Sequence, residues 1–398
     1  MKTGKLPENV LKRSVLRQIR KRREEVLYGA GIGADCAIFL PAGDSITAVC
    51  MREGVVIAGK EASPGLETHR VEKILPEGGI LPGKEILPEK ETSPGEEILS
   101  EKETSSGKEI LQEKENPPGS REVPVTIGAL IQKCANNLAA GGARLVALLI
   151  TLLLPEEVQE SHIRELMAEA EQKCAELGME IAGGQTRITS AVHAAVAVVT
   201  GYGTAPGENH CMPGAAPGQD ILLSKWIGLE GTALAAKRSR TRLLKRYPAF
   251  LVEEAQDFER YLSVLPEAEI GVRNGVCAMH DASEGGILGA LWELAEGAGV
   301  GLRIDMRKLP LRQETVEVCE CCGLNPYELL SGGCLIMTAQ DGPGLLAALK
   351  EEGIPASIIG RVTEGNDRLL INGDEIRYLD RPKNDAVYNG MEPIMSDA

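Results

Sequence analysis

At 398 residues, 43% of them apolar and 45 of them glycine, the chain is too long for one hydrophobic core and too apolar to remain unfolded. With aromatics at only 3%, its cores must be filled by Ala, Val, Leu and Ile, which suits a glycine-looped α/β protein. A formal charge of -15 excludes general affinity for nucleic acid or anionic membrane surfaces, so any phosphate ligand has to be held locally, by helix N-termini, glycine-lined amides or a divalent cation.

In chain order, the basic stretch Met1–Arg23 has apolar periodicity (Val10, Leu11, Val15, Ile19) and reads as a surface helix, with a mitochondrial transit helix as the alternative. Ten cysteines, no secretory leader and no apolar run of roughly 18 residues point to reduced thiols in the cytoplasm. Asp35–Leu40 and Ser45–Met51 read as strands. A twelve-residue unit, Glu85–Glu96, recurs as Glu97–Lys108 and, degraded, as Glu109–Ser120. Each copy carries one Ile-Leu pair among charges, Ser, Pro and Gly, too little apolar surface to offset ordering, so about 60–122 is expected to be disordered. An interaction tether and a tolerated slippage expansion both explain it, and the second is preferred because long surface insertions cost little.

Thr126–Ala140 follows as a helix with Ile127, Leu130, Ile131, Cys134 and Leu138 on one face, then Leu145–Leu154 as an apolar strand. Ser161 is placed as N-cap of a helix that runs to Leu177 and stops at Gly178, and Ala191–Gly201 as a buried strand. The Pro/Gly-rich stretch at 204–217 marks a linker, dividing a first domain (1–203) from a second (218–398). The second domain reads as strand Asp220–Lys225, helix Glu284–Gly297, strand Leu335–Thr338, helix Gly344–Glu352 and strand Ile358–Val362.

Taken alone, the glycines of Gly29–Ala37 are a strand-entry turn as readily as an anion cradle, and they precede a strand instead of opening a helix. Asp281-Ala282-Ser283-Glu284-Gly285-Gly286 reads as a helix cap, with or without a phosphate or substrate contact. His280 is a general-base candidate or a satisfied polar residue. Cys319-Glu320-Cys321-Cys322 holds a Cys-x-x-Cys spacing, but without a neighbouring ligand pair reduced thiols are preferred to zinc.

These segments gain weight together. Gly31–Ala37 resembles the Gly-Asp-Asp-Ala-Ala segment of thiamine-monophosphate kinase and hydrogenase maturation factor E, of the AIR-synthase-like (PurM-like) superfamily. Cys134–Ala143 is similar to its Asn-Asp-Leu-Ala-Ala-Met-Gly-Ala helix end, Gly183–Thr186 to its Gly-Gly-His-Thr turn, Gly218–Lys225 to the opening of its second domain, and Met279–Gly286 to its Asp-x-Thr-x-Gly-Gly helix start. The resemblance implies a two-domain α/β fold and a homodimer whose first domains join strands into a β-barrel. ATP would lie between protomers beside the glycine-rich segment. It further implies ATP-dependent phosphorylation of a carbonyl oxygen or other nucleophile, with Mg²⁺ held by carboxylates, and a protein partner in maturation. On matching positions it implies nucleotide contacts from Gly31, Gly33, Asp35, Asn136, Asn137, Gly183, Gly184, Gln185, Thr186, Lys225, Glu284, Gly285 and Gly286. Asp35 would be the metal ligand, and Asp35, His280 and Asp281 the candidates for chemistry.

The chain departs from that pattern where carboxylates are expected, carrying Ala34 before Asp35, Asn137, Met51-Arg52-Glu53 after the second strand, and Gln185 with Arg187. Fewer hard anionic oxygens mean a weakened metal site, with Arg187 or Lys225 offered as replacement charge and a surface salt bridge as the alternative for Arg187. The residues Met391–Ala398 carry no cysteine to match the family's acceptor thiol, so self-modification there is not expected. The expectation is an ATP-dependent maturation factor acting on an unidentified acceptor; a non-catalytic nucleotide-binding dimer is the alternative.

Overall fold

The computed structural model describes residues 8–18, 26–28, 32, 36–39, 45–57, 125–206, 214–381 and 385–386. The chain divides into two compact units, Met1–Pro64 with Arg121–Ala398, and Gly65–Ser120. The second unit, and with it the proposed repeat insertion, lies outside the described residues.

The fold is mixed α/β, built on two sheets. The first contains β1 (Val26–Tyr28), β2 (Ala37–Phe39), β3 (Ser45–Ile57), β4 (Val125–Thr126), β5 (Arg144–Leu154), β6 (Glu180–Ile188) and β7 (Val196–Pro206). Its order is β1-β2-β3-β7-β5-β6, with β4 added parallel to the end of β3. Among the described residues it is an open sheet, not a closed barrel.

Among the described residues, helices cover only one of its faces. The helix Ile127–Ala140 lies on it, with Thr126 Oγ1 accepting from Ala129 N–H at 3.1 Å as its N-cap. Ile127, Leu130, Ile131, Cys134 and Leu138 pack against Ile38, Ala48, Leu148, Ile150, Leu152 and Val199. The helix Glu160–Leu177 adds Leu166, Ala170 and Cys174 to this core and stops at Gly178, whose positive φ of 66° suits glycine. On the other face, Met51, Thr200, Leu149 and Gly183 stand in one row across β3, β7, β5 and β6. There Met51, Leu149 and Tyr202 are exposed, Leu149 by 47%.

The second sheet contains β8 (Asp220–Ser224), β9 (Val276–Asp281), β10 (Gly301–Asp305), β11 (Leu335–Ala339), β12 (Ala356–Thr363), β13 (Arg368–Asn372) and β14 (Glu375–Tyr378), ordered β14-β13-β10-β12-β8-β11-β9. Both faces are filled. The helix Gly286–Ala298 brings Ile287, Leu291 and Leu294 against Ile221, Leu223 and Ile336. The helices Leu265–Arg273 and Gly342–Glu351 bring Ile270, Leu345 and Leu349 against Leu222, Leu335 and Met337. Ala139 and Ala140 of the first-half helix reach this second core, so that helix is buried between the two halves.

Several boundaries differ from the sequence reading. Residues 8–18 are helical, in short mixed turns, and Glu8 Oε2 accepts from Trp292 Nε1–H at 2.7 Å. The second long helix is capped at Gln159, whose extended φ and ψ of -91° and 147° start it ahead of Ser161. β7 begins at Val196 because residues before it turn, and runs to Pro206 because β3 pairs with it as far as Ser45. The first residues read as linker are therefore strand. The Gly183–Thr186 stretch is not a turn but part of β6, paired with Leu149–Leu152 of β5.

Candidate functional site

The residues singled out by sequence come together in part. Asn136 and Asn137 sit near the end of the buried helix and face opposite ways. Asn136 Oδ1 accepts from Gln132 Nε2 at 2.9 Å and from Val264 N–H at 3.2 Å, while its Nδ2 donates to the Leu262 carbonyl at 2.7 Å. It is thereby a clasp between the halves. Asn137 Oδ1 accepts from an Arg52 guanidinium nitrogen at 2.6 Å. A second clasp, Lys133 to Glu230 at 2.6 Å, joins the same helix to the Leu229–Arg238 helix.

Lys225 follows β8 in a left-handed conformation, φ 52°, which costs a non-glycine residue about 1–3 kcal/mol. Its ammonium lies 2.6 Å from Glu267 Oε1 and donates to the Ser263 carbonyl. Glu267 is 2% exposed, so the pair is closed off from water. Lys225 is thus committed to a carboxylate and does not present a free charge to a phosphate.

His280 and Asp281 end β9, both buried, with His280 Nε2 3.3 Å from Glu293 Oε2. The following helix starts at Gly286, not Glu284. Gly285, at φ 89°, is its N-cap, and a Cβ on Gly286 would sit 2.6 Å from the Tyr327 carbonyl oxygen, so glycine is required at both. The N-cap residue is therefore Gly285 and not one of Asp281–Ser283. The Gly285 N–H instead donates to Asp385 Oδ2 at 2.7 Å, and Asp385 Oδ1 accepts from Leu330 N–H at 3.2 Å. Beside Gly285 is a cavity of about 130 Å³, and next to it one of about 260 Å³ lined by Arg307, Tyr327, Asn372 and Arg377.

Gly183, Gly184, Gln185 and Thr186 lie on the outermost strand of the first sheet, three strand positions from Arg52. A Cβ on Gly184 would meet the Ile150 carbonyl oxygen at 1.8 Å, so glycine there is needed for β5 and β6 to pair. Gly31, Gly33 and Asp35 lie outside the described residues. Among the described residues, no group of three or more His, Cys, Asp or Glu side chains is placed to hold a metal ion. The Arg52 guanidinium beside Asn137 would also repel a dication. The described residues therefore do not fit Mg²⁺. Cys319, Cys321 and Cys322 are buried thiols, and burial pushes Cys319 up to about 12.

Sequence reasoning missed Arg52, Glu267, Glu230 and Asp385. Arg52 was visible only as a break in the family pattern. The others pair over long separations, up to 100 residues for Asp385 and Gly285, and no local spacing signals them.

Two-sheet fold and site positions together define a class. The chain belongs to the AIR synthase related family: residues 114–205 match the N-terminal domain model and 216–371 the C-terminal domain model, more than half the chain between them. Its relatives include carbamoyl dehydratases and hydrogenase expression/formation proteins. It is 29% identical to carbamoyl dehydratase HypE of Rhodobacter capsulatus over 57% of this chain and 66% of that protein. It is 26% identical to a hydrogenase expression/formation protein of Methanocaldococcus jannaschii over 62% of this chain and 72% of that protein. The chain thus spans about two thirds of the length of the first of these relatives. Among solved structures, Escherichia coli HypE superposes with a TM-score of 0.55 at 23% identity, covering 65% of this chain and 81% of that one. A chain of a HypE–HypF complex gives 0.61 at 17% identity, covering 94% and 99%. HypE in complex with ATP gives 0.56 at 20% identity, covering 66% and 81%. At these identities the structural likeness shows the fold alone.

Proposed function

We propose that the chain is an ATP-binding, HypE-like hydrogenase maturation factor that activates an acceptor oxygen by phosphoryl transfer. The observation that carries this reading is the run of carbamoyl dehydratase relatives across both family domains. In that chemistry a carbamoyl oxygen becomes a phosphate ester and leaves, and loss of the amide protons gives a nitrile. The protein's part is to position both substrates and stabilise charge on the transferring group. Asn137 with Arg52 offers a cationic hydrogen-bonding edge on the first sheet. Asp281 and His280, at the carboxyl end of β9, are the candidates for proton handling. Asp35, with Glu53 as a second candidate, is what remains to hold Mg²⁺, which would offset polyphosphate charge.

The open face of the first sheet supports a homodimer, in which the two first domains would complete a barrel and bury Met51, Leu149 and Tyr202. The first and second domains are taken as 1–203 and 218–398. The reading includes a protein maturation partner, supported by the likeness to a chain of a HypE–HypF complex, and a cytoplasmic location. No described helix is long and apolar enough to cross a membrane.

A non-catalytic, nucleotide-binding dimer is favoured by a specific observation, the Arg52–Asn137 bond standing where family members have carboxylates. Titrating ATP calorimetrically, with and without Mg²⁺, and then following ADP release separates the two. Binding with release supports the enzyme, binding without release the scaffold, and no binding overturns both.

A further inference from the structure

Cys50 on β3 and Cys134 on the Ile127–Ala140 helix are 84 residues apart in sequence, and their sulfurs meet at 3.3 Å inside the first-half core. Cys50 Sγ also donates to the Cys134 carbonyl at 3.2 Å. Room for both comes from β7, where a Cβ on Gly201 would sit 2.5 Å from Cys134 Sγ and 3.6 Å from Cys50 Sγ. A disulfide bond is about 2.05 Å long, so an approach of about 1.2 Å separates this contact from a covalent link.

The two thiols are not equivalent. The Cys50 hydrogen bond holds Cys134 below the ordinary thiol value against the opposing effect of burial, and the nearby Arg52 guanidinium acts in the same direction. The same contact, together with burial, raises Cys50 well above it. A sulfur that ionises more readily beside one that stays protonated is the division of labour that thiol–disulfide exchange uses.

We propose that Cys50 and Cys134 are a redox pair whose oxidation to an intramolecular disulfide clamps β3 to the Ile127–Ala140 helix and alters nucleotide binding at the adjoining Arg52–Asn137 edge. The effect on binding rests on the nucleotide reading above; the disulfide itself does not. The oxidant is a low-molecular-weight disulfide, which reaches the buried sulfurs when the Ile127–Ala140 helix opens locally. The Cys134 thiolate attacks one of its sulfurs, forming a mixed disulfide and releasing one thiolate. Cys50 then attacks the Cys134 sulfur of that mixed disulfide, giving up its proton, and the second small thiol leaves. The two protein thiols are oxidised and the small disulfide is reduced to two thiols. Arg52 lies two residues beyond Cys50 on the same face of β3, and Asn137 three residues, nearly one helical turn, beyond Cys134. Drawing the two sulfurs together therefore moves both ends of the 2.6 Å Arg52–Asn137 bond.

The test uses the reduced full-length chain, incubated with oxidised glutathione, alkylated, digested without reductant and mapped by mass spectrometry, with ATP affinity measured before and after. The expected result is a Cys50–Cys134 linked peptide that dithiothreitol removes, accompanied by a change in ATP affinity of at least about fivefold. Cys50→Ser should lose both responses while keeping the melting temperature of the reduced protein. Glutathionylation of the half-buried Cys277 without any Cys50–Cys134 peptide overturns the pair, whatever the variant does. A linked peptide with unchanged ATP affinity overturns the coupling. Failure of the reduced chain to bind ATP sinks the nucleotide reading and the coupling with it, while the peptide map still decides whether the pair oxidises.

Discussion

The two sheets solve the burial problem differently. In the second half, helices cover both faces, and every residue of β8 and β11 is buried. In the first half, helices cover one face, and the other presents Met51, Leu149 and Tyr202 to solvent. One half finishes its own core. Among the described residues the other leaves an apolar face uncovered, and the segments resembling a nucleotide site are divided between the halves, Asn136–Asn137 and Gly183–Thr186 in the first, Lys225 and Asp281–Gly286 in the second.

The comparison can be broken most forcefully inside the finished half. Glu267→Ala would strand the Lys225 ammonium in a sealed interior, and urea unfolding should register a loss of about 3–5 kcal/mol. Replacing both by apolar residues, Lys225→Met with Glu267→Leu, should recover most of it. A single variant as stable as the parent would mean that water reaches the pair. At the seam between the halves, Asn136→Ala removes three hydrogen bonds and should lower stability by about 1–3 kcal/mol, seen as a lower urea midpoint with the slope unchanged.

In the unfinished half the effects move from stability to binding and assembly. Asp35→Asn should weaken ATP binding by about 1–3 kcal/mol only when Mg²⁺ is present. Equal affinity with and without Mg²⁺, in parent and variant alike, would discard the metal role. Leu149→Glu should turn a dimer into a monomer in sedimentation while shifting the unfolding free energy by no more than about 0.5 kcal/mol. A parent chain that is already monomeric at all concentrations defeats the homodimer. Smallest of all, replacing residues 61–122 by a short Gly/Ser bridge should leave the melting temperature and ATP affinity unchanged; loss of soluble protein would show that the insertion packs.

Legibility in the sequence followed the same division. The helix Ile127–Ala140 could be read with its buried face because Ile127, Leu130, Ile131, Cys134 and Leu138 keep helical spacing. β5 and the Gly178 stop were equally local. The stretch 229–273 was not read at all, although it holds several short helices, because a segment packed on more than one side loses the contrast that periodicity needs. At the site, residue types that match a family pattern were visible, and what those residues do was not. Lys225 matched a phosphate-ligand position, and its buried partner Glu267, far along the chain, gave no local sign. Asn137 looked like a lost metal ligand, and its partner Arg52 comes from another strand. Such pairings are set by topology, which composition and spacing do not encode.

The pairing of β3 with β4 has a consequence for how this gene can change. Val56 stands opposite Val125 and Ile57 opposite Thr126, so the two positions that flank residues 58–124 lie on neighbouring strands, about 4.8 Å apart. Whatever is spliced between them begins and ends at one anchored doorway. Closing a flexible loop costs only about 0.6 kcal/mol more for each doubling of its length. Replication slippage that adds or drops a twelve-residue unit there meets almost no selective resistance from folding. Related chains should therefore vary widely in length at this junction, and a reporter domain or an affinity tag grafted into it should be carried without disturbing either sheet.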